Sequence, residues 1–354
     1  MKKITFILVM VLTVGISNAT FYVTPTGTGD GSSWATALGS IQAAIDAAAA
    51  EFNTSATAQE VWVASGTYST ATAALIMKAG VNLYGGFAGT ETTKEQRVKG
   101  TNPWDYTNAT ILNGGNAKRC IEVSANFTSV YVIDGFTITN GNGQGLQLNN
   151  SGGGLVLRAN LKLQNSIVTG NTTSGNGGGV NMVGGIVSNC WIYNNVSTSG
   201  TITAGGGVYS APATGFTSTI EQSVIERNTN GGIRAQAAGS TYIDRNIIRN
   251  NTSTGNGASI YLNNPTVCEI TNNLITNNSG TNNIYLNKGK LINNTVVNNE
   301  GGIYLASATN VSEVYNNIIV GNVVKATTTP TSVSVVTGYP GGKVKYNATW
   351  PSIA

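Results

Sequence analysis

Charged side chains recur at matched positions of one part of the sequence, and their types and spacing could support chemistry. Glu221 and Asp244 occupy the same position in two successive copies of a repeat, and Arg245 is adjacent. Glu226 and Arg249 share a later position. Carboxylates about 5 Å apart on neighbouring strands could share a proton or a cation, or could form a ladder of salt bridges. We favour the salt bridges as the plainer interpretation.

The composition removes several catalytic chemistries. The sequence contains no histidine, which excludes His-based acid–base catalysis, Ser-His-Asp triads and the common zinc sites. Its five aspartates lie in five distant segments, so the sequence offers no Asp-rich cation site. From the residues alone we expect no metal site and no cofactor.

A column of mostly aromatic residues is the second candidate site. A short run of the GGIYL type recurs between the copies of the repeat, and period-two alternation turns its middle residue outward. The middle residues are Asn181, Tyr209, Arg234, Tyr261, Tyr285 and Tyr304. Tyrosine rings at this spacing could stack on sugars and bond to their hydroxyls, or could stack on each other and stabilise the sheet. All of these residues except Asn181 form our predicted glycan-binding site.

Short strands must position these residues. The pattern LINNTVVNN, which begins at Leu291, recurs from residues 163, 187, 220, 243, 270 and 314, at intervals of 21 to 33 residues. Each copy is rich in β-branched residues and nearly free of helix formers, and its Asn and Gly residues tolerate the left-handed backbone of a sharp corner. Three strands joined by such corners make one coil, which buries its apolar side against its neighbours. The sequence predicts an all-β fold, a parallel β-helix solenoid.

Polar residues recur at two repeat positions that are predicted to face inward. The fourth position holds Ser166, Cys190, Ser223, Asn246, Asn273, Asn294 and Asn317. The ninth position holds Asn171, Asn195, Asn228, Asn251, Asn278, Asn299 and Asn322. An Asn at each corner can bond the Asn one coil away and satisfy backbone groups that the turn leaves unpaired. We therefore expect two structural asparagine ladders.

The first residues have the features of an export signal. Residues 1–19 contain two lysines, then an apolar run too short to span a membrane, then small residues at the cleavage position. We expect a secreted or cell-surface protein with no membrane span in its mature form. The full sequence has a net charge of +4, and the chain without these two lysines has a net charge of +2. So small a positive charge does not favour binding to nucleic acid, and we expect no nucleic-acid partner.

The mature chain is predicted to form one elongated domain. Its parts are a cap region over residues 20–58 with a helix at 40–52, irregular coils over 59–140, regular Asn-rich coils over 141–322, and a C-terminal cap segment over 323–354. Ser40 is the predicted N-cap of the helix, which covers the open end of the β-helix. A polar insertion at residues 90–108 is expected to be a surface loop on one flank, and long loops of this kind are often functional.

Four further segments carry a family resemblance: FYVTPTGTGDGSSWATAL from Phe21, VWVASGTY from Val61, VNLYGGFAGTET from Val81 and VIDGFTITNGN from Val132. With the repeats, they resemble the right-handed parallel β-helix proteins of the pectate-lyase-like superfamily. More narrowly, they resemble secreted bacterial repeat proteins related to polymorphic outer-membrane passengers. The resemblance implies a right-handed solenoid. The resemblance does not indicate one activity, since the superfamily includes lyases, hydrolases, adhesins and proteins with no known activity.

Three functions remain open. The first is a non-catalytic secreted protein that binds polysaccharide, or a cell-surface glycan or protein, through the outward tyrosines. The second, drawn from the resemblance, is a polysaccharide lyase or hydrolase; as a lyase it would use Arg234 as base and Glu221 with Asp244 to hold Ca²⁺. The third is a purely structural surface or matrix protein. The missing histidine and scattered aspartates favour the first over the second, and the tyrosines separate the first from the third.

Overall fold

The computed structural model describes most of the chain. The described residues are 19–145, 148, 150–200, 204–236, 238–263, 265–306, 311–322, 336–338 and 343–350. The predicted signal peptide, apart from its last residue, lies outside them.

The chain folds into a right-handed parallel β-helix, and each regular coil contributes one strand to each of three sheets. The first sheet contains Leu75–Met77, Ile121–Val123, Leu155–Leu157, Val180–Met182, Val208–Ser210, Ile233–Gln236, Asn256–Asn263, Asn282–Leu286, Ile303–Leu305 and Val336–Gly338. The second contains Thr20–Val23, Gln59–Ala64, Val81–Phe87, Tyr131–Asp134, Leu161–Gln164, Gly185–Ser188, Thr217–Glu221, Ser240–Asp244, Val267–Thr271, Gly289–Ile292, Ser312–Tyr315 and Lys343–Lys345. The third contains Gly66–Ser69, Thr110–Asn113, Phe136–Thr139, Ile167–Thr169, Trp191–Tyr193, Val224–Glu226, Ile247–Arg249, Leu274–Thr276, Thr295–Val297, Ile318–Val320 and Ala348–Trp350. A small pair, Thr172–Thr173 and Val196–Ser197, lies between the third and first sheets.

The period-two pattern decides which side chains form the core. In the strand Asn282–Leu286, Ile284 and Leu286 are fully buried, while Tyr285 between them is partly exposed. Parallel pairing sets Ile284 opposite Ile303 in the next coil, so apolar side chains stack from coil to coil. Burying these stacked side chains is the main favourable contribution to folding.

Asparagine side chains bond from coil to coil inside the corners. The Nδ2 of Asn273 donates to the carbonyl of Ile243 at 2.9 Å and to the Oδ1 of Asn294 at 2.9 Å. The Oδ1 of Asn273 in turn accepts from the backbone N–H of Asn246 at 2.8 Å. The same contacts link the ninth-position residues from Asn171 onward. Both predicted ladders are therefore present, and they satisfy backbone groups that the corners leave unpaired.

One α-helix, Ile41–Ser55, packs on the first coils. The Ser40 hydroxyl accepts a hydrogen bond from the Ala43 N–H at 3.2 Å, as an N-cap does. The helix runs three residues beyond the predicted end, until Ala56 adopts a left-handed conformation with a φ of 55°. Short 3₁₀ helices occur at Trp34–Thr36 and Lys94–Gln96.

The C-terminal strands differ from the expectation of a cap folded across the end. The strands Val336–Gly338, Lys343–Lys345 and Ala348–Trp350 instead extend the first, second and third sheets in parallel. The Oδ1 of Asn347 accepts from the backbone N–H of Asn317 at 2.9 Å, which lengthens the ladder. The physical reason is that the corner at Tyr346 and Asn347 repeats the earlier corners, with Tyr346 left-handed at a φ of 57°.

Candidate functional site

The predicted tyrosines lie on the first sheet in register. Parallel pairing places five residues, here called the tyrosine column, opposite one another in successive strands: Tyr209, Arg234, Tyr261, Tyr285 and Tyr304. Their neighbours along each strand are buried, so the column lies on the outer face of the sheet. The structure therefore brings all five predicted residues together.

The rings in this column stack on each other. The ring centroids of Tyr261 and Tyr285 are 4.6 Å apart with an interplanar angle of 11°, and those of Tyr285 and Tyr304 are 5.5 Å apart at 28°. Both faces of Tyr285 are thus in contact with other rings. A ligand would meet the ring edges rather than the faces of Tyr261, which lies between Arg234 and Tyr285, and of Tyr285.

Arg234 is held between two rings of the column. Its guanidinium carbon lies 5.7 Å from the ring centroid of Tyr209 and 5.5 Å from that of Tyr261. Its Nη2 donates to the Oε1 of Gln236 at 2.6 Å. Cation–π contacts of this kind fix the guanidinium and keep it in the line of the column.

The column continues in the N-terminal direction, but there it is covered. Tyr209 is only 8% exposed, and burial raises the pKa of its hydroxyl. Asn181 and Glu122, which the register places further along the same column, are 3% and 1% exposed. The sequence reasoning missed Glu122, although it occupies the outward position of the run IEV. The exposed part of the column therefore runs from Arg234 to Tyr304.

A buried ion pair marks the covered part. The Nη1 of Arg119 lies 3.4 Å from the Oε2 of Glu122, and both residues are almost fully buried. The Nη2 of Arg119 donates to the carbonyls of Gly143 at 2.6 Å and Leu148 at 2.8 Å. Burial lowers the pKa of Arg119. Residues that follow the strand Phe136–Thr139 thus contact the Arg119–Glu122 pair at the N-terminal end of the first sheet.

The predicted carboxylate cluster lies on the second sheet and forms salt bridges. Glu221 and Asp244 are paired residues on adjacent strands. The Nε of Arg245 lies 2.9 Å from the Oδ2 of Asp244, and its Nη2 lies 3.5 Å from the Oε2 of Glu221. These contacts agree with the ladder interpretation. Arg234 lies on the first sheet, so the structure does not bring the three lyase candidates into one site.

Glu226 is the centre of a separate network on the third sheet. Its Oε1 accepts from the Trp191 Nε1 at 3.0 Å and from the Arg227 Nη2 at 2.7 Å. Its Oε2 accepts from the Nε of Arg249 at 2.5 Å. The carboxylate is 2% exposed, so these three donors replace its contacts with water.

Two further features bear on the candidate site. In the described part of the chain, His, Cys, Asp and Glu side chains form no group of three or more that could hold a metal ion. The described residues also include no helix that is both long and apolar enough to cross a membrane.

The comparisons with known proteins agree with the fold. A family profile described as "NosD: Periplasmic copper-binding protein (NosD)" matches residues 133–347, which is more than half of the chain. The structure is similar to the crystal structure of pectate lyase Pel9A, with a TM-score of 0.54 and 13% sequence identity over 94% of this chain and 80% of that chain. At that identity the similarity shows the fold alone. A search of curated protein sequences finds no significant match.

Proposed function

The chain belongs to the NosD family, and from this premise we propose that it is an exported, non-catalytic β-helix protein. Its tyrosine column binds a glycan, or a glycan-bearing partner at a cell surface. The observation that carries the proposal is the exposed, in-register part of the column, from Arg234 to Tyr304.

The order within the column is what favours an extended ligand. Successive coils are about 4.8 Å apart, so the column presents aligned polar ring edges along the solenoid axis. Stacking has already fixed the rings, so little side-chain entropy is lost when a ligand binds. Tyrosine hydroxyls both donate and accept hydrogen bonds, which matches the hydroxyl-rich edge of a sugar chain.

Export is supported by two observations. Residues 1–19 have the composition of a signal peptide, and the family description names periplasmic proteins. The proposed location is therefore outside the cytoplasm, as a secreted or surface protein.

The residues present do not fit the copper that the family description names. The sequence has no histidine, and Cys120, Cys190 and Cys268 are all buried. Burial raises the pKa of the Cys120 thiol to about 11 and that of Cys190 to about 12, whereas metal binding requires the thiolate. Met77 and Met182 are also buried. We therefore derive no function through copper.

A glycan array tests the proposal. The wild-type mature chain, residues 20–354, should bind a defined set of glycans. A variant that combines Tyr261→Phe, Tyr285→Phe and Tyr304→Phe keeps the stacked rings and removes their hydroxyls, so it should lose most of that binding while its melting temperature stays close to that of the wild type.

The control for this variant is Tyr242→Phe. Tyr242 is 37% exposed and lies on the second sheet, away from the column, so its hydroxyl should be irrelevant to binding. Loss of binding in Tyr242→Phe alone, or full binding in the triple variant, would contradict the proposal. Absence of any bound glycan or glycoprotein on the array would also contradict it.

A further inference from the structure

A groove on the third sheet has no role in the function proposed above. It has a volume of about 520 Å³ and lies between residues 102–104 and the strands that begin at Trp191, Val224 and Ile247. The polar insertion at residues 90–108 forms its wall.

The wall is anchored to the β-helix by buried polar contacts. The Nη1 of Arg97 lies 2.8 Å from the Oδ1 of Asp134, and the Tyr106 hydroxyl donates to the same oxygen at 2.8 Å. The side chains of Arg97 and Asp134 are 8% and 3% exposed. Charge-assisted hydrogen bonds in a buried setting hold the insertion in one position. The groove is therefore a built feature of the fold.

The apolar surface of the groove combines two indole rings with aliphatic side chains. Trp191, Val224 and Ile247 occupy paired positions on adjacent strands of the third sheet. The Trp104 ring in the wall is 6.4 Å from the Trp191 ring at an angle of 32°. One face of Trp191 stacks on Tyr193 at 4.0 Å, which fixes the indole. Fixed indole rings can pack against the C–H face of a sugar.

The exposed charge in the groove is positive. Among the described residues that line it, the charged ones are Arg245 and Arg249, whose side chains are 55% and 44% exposed. Their partners Glu226, Glu221 and Asp244 are between 2% and 24% exposed. The hydrogen bonds in the described part of the chain engage the guanidinium of Arg249 through its Nε alone. Since a guanidinium has five N–H donors, both arginines retain donors for an anion.

The corners beside the groove break the pattern of the repeat. The equivalent left-handed corner residues have φ values between 49° and 58° and are Asn165, Asn189, Gln222, Arg245, Asn272, Asn293 and Asn316. Gln222 and Arg245 replace the favoured Asn, and both line the groove. Asn adopts this conformation more readily than Gln or Arg, so these two departures work against local preference. Such departures are expected where a residue serves a function.

We infer that this groove is a second binding site, for a sugar ring that carries an anionic substituent, either a carboxylate or a sulfate. The sugar packs against Trp104 and Trp191, its anion accepts hydrogen bonds from Arg245 and Arg249, and the amide of Gln222 bonds its hydroxyls. The site involves none of the column residues, so the inference does not rest on the tyrosine column.

Calorimetric titration of the mature chain tests the inference. The probes are an alginate tetrasaccharide, a chondroitin sulfate tetrasaccharide and the neutral cellotetraose. At least one acidic probe should bind ten-fold or more tightly than cellotetraose, and its affinity should fall as salt concentration rises. Alginate carries only carboxylates, whereas chondroitin sulfate carries both carboxylates and sulfates. Binding of chondroitin sulfate without alginate therefore indicates a sulfate, and binding of alginate shows that a carboxylate suffices. Equal affinity for all three probes, or no binding of either acidic probe, would overturn the inference.

Three variants locate the binding. Trp104→Ala and Arg245→Gln should each weaken the acidic probe at least five-fold. Lys290→Gln is the control, since the Lys290 side chain is also 44% exposed and paired with a glutamate, but lies outside the groove lining and its network. It should bind as the wild type does. Unchanged affinity in Arg245→Gln overturns the inference, even if Trp104→Ala fails to fold. Unchanged affinity in the triple Tyr→Phe variant of the column separates this site from the one proposed above.

Discussion

The buried asparagine ladders and the exposed tyrosine column are built by the same coil-to-coil register, yet they do different things. In the ladders each side chain meets the donors and acceptors of its neighbours, with Asn294 only 1% exposed. In the column, the rings meet each other and leave their edges to solvent. A repeated position thus specifies the fold where it faces inward and is available for binding where it faces outward.

The difference has a physical basis in solvent access. An inward polar group that loses its partner remains buried and unpaired, which costs about 1–3 kcal/mol. An outward hydroxyl that loses its partner can bond to water at little cost. The exposed column can therefore vary in sequence, as it does between Arg234 and Tyr261, while every residue of the ninth-position ladder from Asn171 to Asn322 is Asn.

The largest expected effect is on the ladder. Asn294→Leu removes donors to the carbonyl of Ile270 and to the Oδ1 of Asn317, and the acceptor for the backbone N–H of Asn273. Chemical denaturation should show a loss of about 2–5 kcal/mol in the free energy of unfolding. The exposed Asn263 provides the control, since Asn263→Leu should change stability by under about 0.5 kcal/mol. Equal free energies of unfolding for the two variants would contradict the claim that inward asparagines stabilise the fold more than exposed ones do.

The next effect in size is the loss of one ring from the column. Tyr285→Ala removes the contacts with Tyr261 and Tyr304, and each aromatic pair contributes about 0.5–1.5 kcal/mol. We therefore expect the free energy of unfolding to fall by about 1–3 kcal/mol in denaturant titration. Because the rings stack on each other, this substitution also disturbs the neighbouring rings. A stability equal to that of the wild type would show that ring stacking contributes nothing to the sheet.

Much of this comparison could be predicted from the sequence. Inward and outward side chains alternate along runs such as Ile284, Tyr285 and Leu286. Because this periodicity is local, it predicts the strand, the outward ring and the pairing of equivalent positions in successive coils. The stacking of Tyr285 on both neighbours was one of two open alternatives, since ring orientation depends on side-chain rotamers that spacing does not specify.

Other features depend on tertiary structure. The covering of Glu122 involves a non-repeated segment, whose carbonyls at Gly143 and Leu148 bond its partner Arg119, and no periodicity encodes it. The groove joins Trp104 to Trp191, which are far apart in the sequence and meet through the buried anchor at Asp134. The sequence did not predict the last coil, because a long non-repeated stretch separates Asn347 from Asn317. The corner at Tyr346 and Asn347 nevertheless ends in the same Asn as the earlier corners.

A smaller expected effect concerns catalysis. Arg234 is fixed between two rings, and Glu221 with Asp244 lies on another sheet, so the three cannot act on one sugar. Incubation with pectate, alginate or a glycosaminoglycan, with or without Ca²⁺, should therefore give no unsaturated product by ultraviolet absorbance. A lyase rate that Arg234→Ala abolishes would show that the first sheet is catalytic rather than a binding surface.

The most direct test of the account is a paired measurement on Tyr261→Phe, with glycan affinity by calorimetry and stability by denaturant titration. The substitution keeps the ring that stacks on Tyr285 and removes one hydroxyl at the exposed edge. We predict that the affinity for the glycan selected on the array falls about five-fold, near 1 kcal/mol, while the free energy of unfolding changes by under about 0.5 kcal/mol. An unchanged affinity, or a loss of stability as large as that of Tyr285→Ala, would contradict the assignment of the column to binding.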